Sequence, residues 1–418
     1  MTGPAGRAAF QPWFRRACMA KPPVATNPVR AHPQNGPKPL VILALQGGGA
    51  LGAYQVGAYQ AMEEAGFAPD WVIGISIGAF NGALIAGNEP AERLERLTEF
   101  WHTISRPDPP ARSRNPRLSD AFSYWEALLL GQPGFFTPRI PSPYLAPPGS
   151  EAALSFYDTA QLRGTLEGLI RFDRLGPEGG TRLSLGATDV ETGELVFFDS
   201  RESRVTPEHV MASGALPPAF PPQRIGGRTY WDGGCVSNTP LEAILRSPPE
   251  GHCVVFVIDL WKREGRAPDS MDAVQWRQKE IQYASRTCRG IRSLAARVDL
   301  CHARSLLREA RPDLAGHDPP EEAALARTSR MDILHVTHDP GNTAIAGSDA
   351  EFSRASIRER HQAGHAELWA ALRQAPWTRR KPAGLAAMLH EVCRGEVRTE
   401  AGPAANGLAP PPLAPPAA

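Results

Sequence analysis

The stretch LVILALQGGGALGAYQVGAYQAMEEAGFAPDWVIGISIG, residues 40–78, holds one local pattern twice. Leu40 to Leu45 is a short apolar run that reads as a strand, and it passes through Gly47-Gly48-Gly49 into a helix expected from about Ala50 to Ala65. Trp71 to Ile75 reads as a second strand, followed through Gly74-Ile75-Ser76-Ile77-Gly78 by a helix from Ile77 to Ala86. Strand, glycine turn and helix in alternation are the signature of stacked βαβ units around a mainly parallel sheet. Only 27 positions separate Gly49 from Ser76, room for one helix and one strand, so the two turns are expected side by side at one sheet edge.

Each turn has a chemical reading. A sharp strand-to-helix turn of the form G-x-S-x-G strains its serine and exposes the hydroxyl of Ser76, and only glycine fits at the flanking Gly74 and Gly78. The helix N-terminus behind it favours developing negative charge. Gly47, Gly48 and Gly49, with Gly52 three residues on, expose backbone N–H groups as a nest for an anion, either a phosphate or the oxyanion of a tetrahedral intermediate. The same letters fit a dinucleotide loop, but that needs an acid near the end of the next strand, and Asp70 precedes that strand. A phosphate-binding P-loop needs Lys-Ser/Thr after the glycines, and none follows.

Outward from this stretch, Ala91 to Ile104 repeats Leu94, Leu97 and Trp101 on one helical face. Residues 106–150 hold ten prolines around the apolar segment from Phe122 to Leu130 and the pair Phe135-Phe136, which suggests a cap or lid over 106–157. Strands are expected at Leu183 to Ala187 and Leu195 to Phe198, joined as a hairpin through Glu191 to Glu194, at Gln223 to Tyr230, and at Cys253 to Leu260. Asp269 to Ala310 reads as Arg-rich helix, Ile333 to Val336 as a strand, and Ala355 to Leu372 as an amphipathic helix. The expected organisation is a basic, Pro-rich flexible arm (1–39), a hydrolase-like α/β domain (40–260), a mostly helical C-terminal extension (261–400) and a disordered Pro/Ala tail (401–418).

A third turn, Trp231-Asp232-Gly233-Gly234, follows the expected strand at 223–230, and its glycines leave the Asp232 carboxylate unobstructed. An isolated Asp-Gly-Gly is commonly a turn aspartate bonded to its own backbone. The three motifs in this order, however, resemble the patatin-like phospholipase family over about Leu40 to Leu260. Ala212 to Pro221 and Asn238-Thr-Pro240 resemble further blocks of that family. The resemblance implies a three-layer α/β/α fold with a mainly parallel central sheet. It implies Ser76 as nucleophile, Asp232 as its sole partner in a dyad, and Gly47, Gly48 and Gly49 as the oxyanion hole with Ile77 beside the serine. Gly52, Gly74, Gly78, Gly233 and Gly234 support these turns. The family often carries Arg or Lys where Leu51 stands.

The activity so implied is lipid acyl ester hydrolysis through an acyl-enzyme, with no cofactor and no metal. Two other readings remain open at this stage: a Ser-Asp-His triad with His338 as base, and a non-catalytic protein whose nest holds an anionic head group. A pure binder needs neither Ser76 nor Asp232.

The composition narrows the partners. With 45 Lys+Arg against 44 Asp+Glu the 418-residue chain has no global field for nucleic acid, and a nucleic-acid partner is not expected. Residues 1–62 carry six basic residues and no acid, so the first part is a basic arm; Arg7, Arg15 and Arg16 beside Phe10, Trp13 and Phe14 suit peripheral contact with anionic lipid. The six cysteines lack metal or disulfide spacing and read as reduced thiols, which points to a cytoplasmic setting. Neither a secretory signal nor a transmembrane segment is expected, because the uncharged run 39–62 is broken by five glycines and three glutamines.

Overall fold

The computed structural model describes residues 38–108, 116–311, 320–341 and 344–401. Most of the basic arm and of the Pro/Ala tail, with Arg7, Arg15 and Arg16, lies outside the described residues.

Twelve strands are described: β1 Leu40–Leu45, β2 Trp71–Ile75, β3 Thr137–Pro138, β4 Tyr157–Asp158, β5 Arg182–Asp189, β6 Leu195–Asp199, β7 Gln223–Ile225, β8 Arg228–Asp232, β9 Gly251–Asp259, β10 Thr328–Thr337, β11 Ala387–Cys393 and β12 Glu396–Ala401. Ten of them form one sheet in the order β12-β11-β10-β9-β1-β2-β5-β8-β7, with β6 also paired to β5, while β3 and β4 pair separately. The six central strands, β11 through β5, are parallel. Antiparallel pairs close both margins.

β1 is the hinge of this topology. The chain proceeds from β1 to β2 and β5 on one side, and from β9 to β10 and β11 on the other, so the strand order reverses at β1. Ligands in open α/β sheets bind at such a reversal, beyond the carboxyl ends of the strands. Both glycine turns lie there, since Leu45 of β1 pairs with Gly74 of β2.

β1, β2 and the middle of β9 are apolar throughout because helices cover both faces, as a parallel sheet requires. One face packs Leu43, Leu45, Val72, Phe256 and Leu334 beneath the helices Ala53–Glu64 (α1), Ile77–Ala86 (α2) and Arg354–Arg373. The other packs Ile42, Ala44, Ile73, Val255 and Ile333 against Ile291, Leu294 and Val298 of the long helix Met271–Ala310. The fold is thus α/β/α with a mainly parallel sheet and a C-terminal region rich in helix.

Several local readings change. The helix expected from Ala50 begins as a 3-10 turn, Gly49–Gly52, because Gly49 adopts φ +55 and cannot start a regular α-helix. The strand expected over 223–230 is a hairpin, β7 and β8, turned by Gly226 and Gly227 at positive φ. The C-terminal region also brings three strands that continue the sheet; the hairpin β11–β12, centred on Arg394 and Gly395, was not anticipated.

Candidate functional site

Ser76 caps α2 with φ 56 and ψ −127, a conformation that costs a non-glycine residue about 1–3 kcal/mol. The surroundings hold it there. Its N–H is taken by the Ser213 carbonyl at 3.0 Å and the Ser213 hydroxyl at 3.1 Å, and that hydroxyl donates onward to the Gly186 carbonyl at 2.6 Å. A Cβ on Gly74 would meet the Gly78 carbonyl oxygen at 2.4 Å, and one on Gly78 would meet that of Leu45 at 2.3 Å. Both flanking positions therefore admit only glycine.

Register brings Asp232 to this serine. Ile75 of β2 pairs with Gly186 of β5, and the next β5 residue, Ala187, pairs with Asp232 of β8. Ser76 and Asp232 thus sit on either side of one strand and border one cavity. Asp232 Oδ1 also accepts the Gly234 N–H at 2.7 Å, the turn-aspartate bond that an Asp-Gly-Gly reading anticipates. The carboxylate is only 1% exposed. Burial raises its pKa to about 7, and the hydrogen bonds from Ser76 and Gly234 pull only partly in the opposite direction.

The glycine nest divides by role. Gly47 donates its N–H to the Asn238 carbonyl at 3.2 Å, while its own carbonyl accepts from Asn238 Nδ2 at 2.8 Å and Trp261 Nε1 at 2.9 Å. The N–H of Gly47 is therefore committed to the frame, and the expectation that it serves an anion is corrected. The N–H groups of Gly48, Gly49 and Ile77 find no acceptor among the described residues and border the same cavity as Ser76. A Cβ on Gly52 would meet Ile77 Cγ1 at 2.7 Å, so Gly52 is the residue that lets the two turns approach. Leu51 is buried and apolar, so no charge comes from this position.

Ser76, Asp232, Gly48 and Gly49 line a cavity of about 190 Å³ whose other wall is aromatic and aliphatic. Phe80, Phe135, Phe136 and Phe220 interlock there, with ring centroids 5.2–5.9 Å apart, in the tilted and edge-on geometry aromatic pairs prefer. Thus the expected cap segment supplies Phe135 and Phe136 to the cavity. Its helix Pro116–Leu130 (α3 here) turns Leu128 toward the same cavity, while Leu118, Phe122, Trp125 and Leu129 stay exposed on another side.

Sequence reasoning missed the contribution of the C-terminal region. Trp261, Tyr283, Asp349 and Phe352 also line the cavity, and Lys279 pairs with Asp349 at 2.7 Å. His338 is buried elsewhere: it packs on the Tyr54 ring at 4.5 Å, burial lowers its pKa to about 3, and it does not line the cavity. His335 is hydrogen-bonded to Asp259 at 3.1 Å. Among the described residues no group of three or more His, Cys, Asp or Glu could hold a metal ion, and no helix is long and apolar enough to cross a membrane.

The family model described as patatin-like phospholipase matches residues 43–245, and a second one described as patatin phospholipase matches residues 281–384. A patatin-like phospholipase domain-containing protein 6 of Mus musculus is 44% identical over 61 residues, 15% of this chain and 4% of that protein. An uncharacterized NTE family protein of Mycobacterium tuberculosis is 24% identical over 284 residues, 67% of this chain and 63% of that one. The chain thus spans a small part of the mouse relative and under two thirds of the mycobacterial one. Among solved structures, VipD from Legionella pneumophila aligns over 81% of this chain and 67% of its own, at 16% identity and a TM-score of 0.32.

Proposed function

The chain belongs to the patatin-like phospholipase family, and from that premise we propose that it is a serine lipid acyl hydrolase working through a Ser76–Asp232 dyad. The observation that carries the reading is the placement, across one strand, of a strained serine at a helix N-terminus and a buried carboxylate whose pKa burial raises to about 7, both opening on an apolar cavity.

The chemistry follows from these parts. Ser76 Oγ attacks the ester carbonyl carbon as Asp232 takes its proton, which a carboxylate near pKa 7 does far better than one at an ordinary ~3.9. The carbonyl oxygen becomes an oxyanion, held by the N–H groups of Gly48 and Gly49 and by the positive end of α2. The tetrahedral intermediate collapses, the alcohol leaves with the proton from Asp232, and an acyl ester remains on Ser76. Water, deprotonated by the same Asp232, then attacks the acyl carbonyl; the fatty acid leaves and the proton passes from Asp232 back to Ser76 Oγ.

The cavity wall supports an acyl chain as the bound group, since Phe80, Phe135, Phe136, Phe220 and Phe352 offer it apolar surface. The exposed residues Leu118, Phe122, Trp125 and Leu129 recur at helical spacing on the helix that borders this cavity, with Ile140, Tyr144 and Leu145 exposed close by in sequence. Such a face favours work at a lipid surface, where the substrate resides.

A fluorophosphonate probe tests the reading. One equivalent should attach to Ser76, hydrolysis of a short-chain nitrophenyl ester should fall in parallel, and the His338→Ala variant should label and turn over at close to the wild-type rate. A folded protein that never labels would sink the enzyme reading, and loss in the His338 variant equal to that in a Ser76 variant would replace the dyad by a triad.

Gly49→Ala tests the nest. Its Cβ would lie 2.1 Å from the Asp349 carbonyl oxygen, at a φ of +55 that alanine resists, so the turn must move. Loss of one oxyanion donor corresponds to a fall of about 10²-fold in turnover. Turnover within twofold of wild type would remove Gly49 from the oxyanion site.

A further inference from the structure

Arg360 belongs to the helix Arg354–Arg373, in the C-terminal region, yet its guanidinium reaches the glycine turn. Its Nη1 donates to the Ala50 carbonyl at 3.1 Å and to the Glu351 carbonyl at 2.9 Å; Nη2 donates to the Ser348 carbonyl at 2.9 Å and lies 3.5 Å from Glu351 Oε2. The guanidinium is largely shielded from water, its side chain being 11% exposed, and Glu351 is fully buried.

The contact with Ala50 is not an isolated clasp. The peptide group that offers the Ala50 carbonyl also carries the Leu51 N–H, and this donates to the Gly48 carbonyl at 3.1 Å. The peptide group that offers the Gly48 carbonyl carries, in turn, the Gly49 N–H, which borders the cavity and has no acceptor among the described residues. Arg360, the Ala50–Leu51 peptide and the Gly48–Gly49 peptide therefore form one chain of donors and acceptors. Hydrogen bonds in series polarise one another, and a charged donor at the head strengthens the effect.

We propose that Arg360 is a positioning residue for ester cleavage: the charged head of a hydrogen-bond relay through two peptide groups that orients and polarises the Gly49 N–H toward the oxyanion. This rests on the hydrolase reading above and adds to it the C-terminal region's part in the reaction. By holding Ser348 and Glu351 with the same guanidinium, Arg360 also fixes the turn from which Asp349 packs against Gly49. No charge from Leu51 serves this turn, so the cation comes from a distant helix.

The test uses the full chain with Arg360→Gln and Arg360→Lys, and normalises turnover to the sites that a fluorophosphonate labels at completion. Arg360→Gln should lower kcat per labelled site at least about tenfold with KM little changed, because the oxyanion forms only after binding. Arg360→Lys keeps the charge but loses the paired planar donors, and should fall about threefold. A trifluoromethyl ketone, which forms an oxyanion on Ser76, should lose affinity in the same proportion. A merely structural role would lower melting temperature or the fraction of labelled sites and leave kcat per labelled site and ketone affinity unchanged, which overturns the proposal. If Arg360→Gln does not fold, the Lys variant decides on the same readouts. Failure of the wild-type chain to label at Ser76 would instead strike the hydrolase reading itself.

Discussion

Asp232→Asn should reduce turnover by about 10³-fold while making the protein more stable at alkaline pH. The loss follows from removing the base, since asparagine accepts no proton and general-base catalysis is worth about 10²–10⁴. In the native enzyme kcat/KM should rise with pH and level off with a midpoint near 7, the value to which burial raises Asp232. The stability change has the opposite origin. In the unfolded chain Asp232 ionises near pH ~3.9, but in the fold it stays protonated up to about 7. Between those values the unfolded state has lost a proton that the folded state retains, so this group's contribution falls as pH rises, by up to about 4 kcal/mol above pH 7. Asparagine has the same shape, can still accept the Gly234 N–H, and never ionises. Urea denaturation should therefore show Asp232→Asn gaining on the wild type from pH 5 to pH 8. Equal pH dependence in the two proteins would mean that Asp232 is not the buried titrating group.

The second large effect concerns Ser76. Ser76→Gly should abolish probe labelling and ester hydrolysis, and it should raise stability relative to Ser76→Ala. Both variants lack the nucleophile. Only glycine relieves the strain at φ 56, which amounts to about 1–3 kcal/mol at such a position, offset in part by the greater freedom of glycine in the unfolded chain. Denaturation of the two variants side by side isolates the backbone contribution, because neither keeps a hydroxyl at this position. A Ser76→Gly protein that still turns over the ester would place the nucleophile elsewhere. Together the two experiments describe a site that holds a strained serine and a desolvated carboxylate at the expense of stability, as strained active sites generally do.

Much of the framework was legible because its causes are local. A glycine that must adopt φ +55, or whose Cβ would enter a neighbouring carbonyl, leaves its mark as a letter, and so Gly49, Gly74 and Gly78 announced their turns. The strand Trp71–Ile75 and the helix Ile77–Ala86 were readable to the residue for the same reason: a period of apolar side chains ends at a glycine turn on each side. Residues 106–157 stood out as prolines around aromatics, although which aromatics face the cavity was not legible. Phe135 and Phe136 face inward and Phe122 and Trp125 outward, a difference set by what the rest of the chain packs against them.

Residue types and spacing were thus enough for the parallel sheet and the two adjoining turns, because glycine sterics and hydrophobic period act within a few residues; the pairing of Ser76 with Asp232 was implied by the family resemblance alone. Three other features depend on contacts between segments far apart in the chain. The commitment of the Gly47 N–H to Asn238, 191 positions away, leaves Gly48 and Gly49 as the turn's N–H groups without an acceptor among the described residues. Burial raises the Asp232 pKa, and burial is a property of everything packed around a group. The reach of Arg360 to Ala50 spans 310 positions, and no local pattern can encode a hydrogen bond whose two ends meet only after the sheet has closed.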